Sequence, residues 1–250
     1  MKIAIIGGTG LAVPEYLADR KEVKIDTPFG KPDPVIYSGV SDGIEIFHLA
    51  RNGVNNELPP SKINYKANMY ALKKLGCDYI LATGTCGSLQ EEICPGEVII
   101  FDQFIDMTKL PVTGIRLELN MGESQVSMAE PFSEELRDSL IESAIVQGIT
   151  VHTKGVVISI DGQRSSSRAE SKLYRSWGAD AINMTTAPEA ILANELGIAY
   201  AALSLCTGYD SWRQDDKAAD PEERMNIVKN NTPRILRLLT FALKRVEECA

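Results

Sequence analysis

"ADAINMTTAPEAILANELGIAYAALSLC", residues 179–206, decides the fold class. Residues 179–184 form a short apolar run that predicts a strand. The apolar spacing from Ala187 onward predicts a helix, with Thr186 as a candidate N-cap, Pro188 near the first turn and Gly197 at the end, where a left-handed residue is cheapest. Residues 198–206 are apolar again, and they predict a second strand. Strand, helix and strand within 28 residues point to an α/β sheet covered by helices on both faces.

The same alternation extends in both directions. Further strands are expected at 2–7 ("KIAIIG"), 44–50 ("IEIFHLA"), 77–84 ("CDYILATG"), 97–105 ("EVIIFDQFI") and 149–160 ("ITVHTKGVVISI"). Three more amphipathic stretches end in glycine, at Gly76, Gly148 and Gly178. The last stretch, 221–248, has helical spacing interrupted at Pro233, which predicts two helices or one kinked helix.

The 250 residues fit a single domain, 1–250, and the formal net charge of −8 repels nucleic acid and anionic membrane. No run approaches the roughly 18 apolar residues of a membrane span, and "MKIAIIGG" turns to glycine too early for a signal-peptide core, so a cytoplasmic protein is expected. The five cysteines, Cys77, Cys86, Cys94, Cys206 and Cys249, include no CxxC pair, which predicts reduced, mostly packed thiols and no zinc knuckle. His48 and His152 both lie in apolar strand-like runs, so structural roles are expected for them.

Several small-residue runs stand at strand ends, where open α/β sheets gather ligands. "IIGGTGL" (5–11) reads as a phosphate loop with the Thr9 hydroxyl, as a plain tight turn, or as a dinucleotide loop with Asp26 on the ribose. The dinucleotide reading lacks the third glycine of GxGxxG. Arg51 reads either as a two-pronged donor to phosphate or as a solvated loop arginine. "ATGTCGSL" (82–89) is a turn or a source of amide and hydroxyl donors. Ser165, Ser166 and Thr186 precede helices, as N-caps or as ligand contacts. Met184 reads as core or as an apolar wall, and "SLCTGYDSW" (204–212) ends an apolar run at Gly208 before a lone acid, Asp210.

Taken together, "IIGGTGL", "TPFGKPDPV", "LPPSKINYKAN", "TCGSL", "PGEVIIFDQFIDMT", "MAEPF", "SSRAES", "LYRSWGADAINMTTAPEA" and "TGYDSW" resemble the 5'-methylthioadenosine phosphorylase branch of the trimeric purine nucleoside phosphorylase family, across nearly the whole chain. The resemblance implies a purine nucleoside phosphorylase-type mixed sheet of roughly nine strands flanked by helices, a homotrimer, and no metal or organic cofactor, with phosphate as co-substrate. It implies transfer of a ribosyl group from a purine to phosphate. Thr9, Arg51, Asn52, Gly84, Thr85 and Thr185 match phosphate-contacting positions. Met184 matches the ribose-facing methionine, Ser166 and Asn183 border the nucleoside, and Asp210 matches the second acid of a Thr-Asp-Tyr-Asp stretch, as the catalytic residue.

The departures cluster in the same pocket. Asn52 and Asn56 stand for two histidines, at Gly84-Thr85 a phosphate-binding hydroxyl is either missing or moved by one residue, Ser165 replaces an aromatic near the base, Asn183 replaces a glycine, and Gln125 stands where a neighbouring subunit's histidine approaches the 5' substituent. Gly208 replaces the acid that donates to purine N7, which predicts slower departure of the base by about a hundredfold unless Asn183 or Asp210 compensates. The expected function is therefore a methylthioadenosine-type phosphorylase with altered specificity. The alternatives are an impaired nucleoside-binding paralogue acting as a sensor or partner and, more distantly, a dinucleotide oxidoreductase.

Overall fold

The structure, a computed structural model, describes residues 2–32, 35–109, 113–122, 125–213 and 220–249, without the side chains of 248 and 249. The Cys249 side chain, and residues 33–34 of the quoted "TPFGKPDPV", lie outside this set. In chain order the elements are β1 (Ile3–Gly7), β2 (Ala18–Val23), β3 (Ile36–Ser41), β4 (Ile44–Ala50), α1 (Tyr65–Lys74), β5 (Tyr79–Ser88), β6 (Val98–Ile100), β7 (Gln103–Met107), α2 (Ile115–Glu118), α3 (Glu134–Val146), β8 (Val151–His152), β9 (Val156–Ile160), α4 (Arg168–Ser176), β10 (Ala181–Asn183), α5 (Thr186–Glu195), β11 (Ala199–Tyr209) and α6 (Pro221–Cys249).

Among the described residues the mixed sheet has eleven strands, more than the resemblance implied. Its main path is β2-β3-β4-β1-β5-β10-β9-β7, and β11 pairs with β5 and carries β6 and β8. The hub is β5. On one side it pairs with β11 along its whole length, and on the other with β1 at its start and β10 at its end.

Alternation along β1 shows how the core is divided. Ile3 and Ile5 join Leu136 and Leu140 of α3 and Leu239 and Leu243 of α6, whereas Ala4 and Ile6 join Met69 and Leu72 of α1 and Ile191 and Leu192 of α5. Both faces are thus apolar and covered, as the continuous apolar runs predicted. Each fully buried leucine or isoleucine contributes about 1.5–3 kcal/mol relative to exposure, so the two layers hold the strand ends that carry the site.

Several boundaries differ from expectation. β5 and β11 do not stop at Gly84 and Cys206: the two small-residue tails pair with each other, Gly208 opposite Gly87 and Tyr209 opposite Ser88, with one irregularity between Cys206 and Gly208. The 97–105 and 149–160 runs each break into two strands. β2 and β3 were not anticipated, because "ADRKEV" is an exposed, charged edge without an apolar pattern. The last stretch is one helix through Pro233. The four glycines placed at helix ends, Gly76, Gly148, Gly178 and Gly197, all have positive φ.

Two N-caps also move. Ser167, not Ser165 or Ser166, caps α4, in a reciprocal arrangement with Glu170. Thr185 holds the cap position of α5 without a side-chain bond, and Thr186 lies inside the helix. Both histidines have structural partners, as expected. His48 is buried with Nδ1 2.9 Å from the Tyr16 hydroxyl, and His152 Nε2 is 2.8 Å from Glu97.

Candidate active site

The strands β1, β4, β5 and β11 are mutually parallel or linked through parallel neighbours, so their carboxyl ends rise on one edge of the sheet. β10 runs antiparallel to the tail of β5, which brings its own carboxyl end at Asn183 back over that edge. Between them lies a cleft of about 350 Å³, within the size range of small-molecule sites. Eleven residues singled out from the sequence line it, Thr9, Arg51, Asn52, Gly84, Thr85, Ser166, Asn183, Met184, Thr185, Gly208 and Asp210, whereas Thr186 does not. Asn56 and Ser165 line it too, but Asp26 and Gln125 do not.

At one end sits Arg51, and its burial decides against one of its two sequence readings. It is only 3% exposed, so it is no solvated loop arginine. Its two-pronged edge is already taken, with Nε 2.5 Å and Nη2 2.8 Å from the two oxygens of Glu189, while Nη1 donates to the Thr83 carbonyl at 2.5 Å. Each terminal nitrogen carries two N–H groups, so each keeps one beyond these bonds. Burial alone disfavours the charge on Arg51, and the adjacent Glu189 carboxylate outweighs that effect and raises the pKa. Tyr200 donates to the same carboxylate at 2.9 Å, and burial, reinforced by Glu189, keeps its phenol protonated. Sequence reasoning missed Glu189 and Tyr200. The available signal was an acid, Glu189, in the first turn of "TAPEAILANE", a helix that is nearly all apolar and buried, since a buried carboxylate needs a partner.

The glycine loop is sewn to this group. The Gly8 amide donates to the Thr83 hydroxyl at 3.2 Å, and a Cβ on Gly8 would lie 2.6 Å from the Thr83 carbonyl and 2.7 Å from Arg51 Nη1. Close approach to the arginine therefore explains this glycine. No helix follows the loop: the chain goes on to β2, which removes the helix N-terminus that a dinucleotide loop requires. Asn52 closes its own loop, donating from Nδ2 to the Leu58 carbonyl at 2.9 Å.

At the other end the Ser166 hydroxyl donates to Asp210 Oδ2 in a very short contact. Asn183 is committed elsewhere, accepting from the Ser159 hydroxyl at 2.9 Å and donating to the Thr186 hydroxyl at 2.6 Å. Of the two side chains expected to compensate for Gly208, Asp210 is the acid, and Asn183 keeps one Nδ2 N–H beyond these bonds. Cys86 lines the cleft as an inert wall, because burial pushes its thiol well above the ordinary range.

A family model described as the phosphorylase superfamily matches residues 2–242. The chain belongs to the phosphorylase superfamily. Among curated members, it is 42% identical to the S-methyl-5'-thioadenosine phosphorylase of Ciona intestinalis, over 99% of this chain and 89% of that one. It is also 42% identical to the enzyme of that name from Thermofilum pendens, over 99% and 93%. The solved methylthioadenosine phosphorylase of Schistosoma mansoni in complex with adenine superposes with a TM-score of 0.93 at 32% identity, covering 99% of this chain and 92% of that chain. A mutant of the adenosine/methylthioadenosine phosphorylase of the same organism, in complex with methylthioadenosine, gives 0.92 at 33%, with the same coverage. The branch and the fold inferred from the sequence motifs are therefore correct, and the chain is a phosphorylase-superfamily pentosyltransferase.

Proposed function

We propose that this phosphorylase cleaves a purine nucleoside of the 5'-methylthioadenosine type with inorganic phosphate, giving free base and the ribose 1-phosphate. The observation that carries this reading is the single cleft with a charged guanidinium and hydroxyls at one end and the Ser166–Asp210 pair at the other, with Met184 also in its lining. Relatives named for this activity, matched along nearly the whole chain, support it.

In this mechanism a phosphate oxygen bonds to the anomeric carbon as the bond from that carbon to the purine nitrogen breaks, and the electron pair leaves with the base. Arg51, Thr9, Thr85 and Thr185 hold phosphate below the sugar, with Glu189 fixing the guanidinium so that little reorganisation is needed at the moment of reaction. Asp210, oriented by Ser166, is the acid that meets the departing purine, since Gly208 supplies none. The proton the free base gains is the one that hydrogen phosphate loses on becoming the ester, returned through solvent. Phosphate is the sole co-substrate in this reading. A homotrimer and a cytoplasmic setting complete it, the first supported by the family resemblance and the second by four free cysteines at positions 77, 86, 94 and 206.

The test is release of free base from methylthioadenosine, adenosine, inosine and guanosine with and without phosphate, where phosphate-dependent adenine release from methylthioadenosine is the expected result. No phosphate-dependent release from any of them would overturn the reading. It would favour the second one, a nucleoside-binding paralogue, which Gly208 motivates together with Asn52, Asn56 and Ser165 in the same cleft.

A further inference from the structure

The rim of the cleft carries a cation that phosphorolysis does not require. Arg224, in the first turns of α6, lines the cleft, and it also lines a second opening of about 370 Å³ reached past Ser165, Tyr209 and Asp210. Arg168 and Arg213 border that opening as well. Three guanidinium groups around one opening stand out in a chain of formal charge −8. Arg213 lies over the Tyr209 ring at 4.1 Å and 3.8 Å from Glu91, so it has partners. Arg224 differs: its Nε is shielded from solvent and has no hydrogen-bond partner among the described residues. Arg224 as a whole is half-buried and lines both openings, where a guanidinium offers planar donors to an anion.

The helix fixes where Arg224 stands. Val228 and Thr232 follow it at four-residue intervals on the same face, and they abut Gly10, where an added Cβ would lie 2.4 Å from Val228 Cγ1 and 3.0 Å from Thr232 Oγ1. Arg224 thus lies one turn beyond the contact with the loop that carries Thr9, and it borders the opening beside Asp210. In the proposed binding mode the base is held at Ser166 and Asp210, and the anomeric carbon faces the phosphate. The 5' carbon is then the position free to carry a substituent to the rim.

We propose that Arg224 is a specificity residue that recognises a negatively charged group on the 5' carbon, such as a carboxylate or phosphate ester, and binds it in preference to the thioether that the cleft also accepts. This inference rests on the phosphorolysis reading. The Asp210 carboxylate also borders the opening, but its Oδ2 is occupied by the Ser166 hydroxyl. Glu222 and Glu223 in the first turn of α6 are exposed to solvent, where their repulsion is screened.

The experiment measures base release and calorimetric binding for the wild type, Arg224→Leu and Arg224→Lys. The ligands are adenosine 5'-carboxylate, adenosine 5'-phosphate, adenosine and methylthioadenosine. In the wild type the anionic ligands should bind more tightly than methylthioadenosine. Arg224→Leu should lower their kcat/KM about tenfold or more and leave methylthioadenosine equal or better, while Arg224→Lys restores part of the loss. An unchanged ratio of anionic to thioether ligand in Arg224→Leu overturns the proposal. So does a variant whose only change is a raised KM for inorganic phosphate with every nucleoside, which would assign Arg224 to the phosphate end. If no nucleoside is cleaved, phosphorolysis fails separately, and the Arg224-dependent binding preference still decides this proposal.

Discussion

Gly208 faces the cleft from a strand whose ladder to β5 is made by backbone, so an added side chain there need not disturb the pairing. Gly208→Asp should therefore raise kcat for methylthioadenosine, by about tenfold or more if the absent donor is the main defect. A folded variant that binds the nucleoside and gains nothing would assign the deficit to Asn52 or Ser165 instead. Ser166→Ala removes the hydroxyl that orients Asp210 and should lower base release about tenfold, with an unchanged urea midpoint. The residue types of the cleft were legible in the sequence because hydroxyls, glycines and a lone arginine after apolar runs have few other uses there. What stayed hidden was pairing: nothing in "ARNG" says that the arginine is held by an acid 138 positions away.

Among the elements, α5 supplies that acid. Glu189→Ala leaves the Arg51 guanidinium buried and uncompensated and should cost about 3–5 kcal/mol of stability, measured by urea unfolding. Glu189→Gln keeps the shape and one acceptor, and should raise the KM for phosphate more than it changes kcat. Ser167→Ala breaks the reciprocal cap of α4 and should cost about 1 kcal/mol with little change in kcat, the reverse of the Ser166→Ala pattern. The helices were legible because their spacing and terminal glycines are local features. The extents of β5 and β11 were not, because Thr-Gly and Cys-Gly tails look like turns until another strand lies beside them, and the charged β2 carries no apolar signal at all.

Across the whole molecule, His48 ties stability to acidity. Burial lowers its pKa from 6.5 to about 4, so the folded form holds it neutral where the unfolded chain takes a proton. The contribution is fully present above pH 6.5 and is lost as pH falls toward 4, about 3 kcal/mol in all. Urea midpoints measured across that range should show the decline, and His48→Gln should flatten it. The fold as a whole was legible in the alternation of strand and helix, since two apolar faces on one sheet admit few other arrangements. The hub strand has a further consequence for how the chain is made. The Thr207 hydroxyl meets the Cys86 carbonyl across 121 positions, and Arg51 waits for Glu189 nearly as late in translation. A ribosome that has released Thr9, Arg51 and Thr85 has therefore produced half a pocket with an unneutralised cation and no floor. Nascent chains and C-terminally clipped fragments should be unable to capture phosphate or nucleoside, which makes ligand binding a report on completed synthesis.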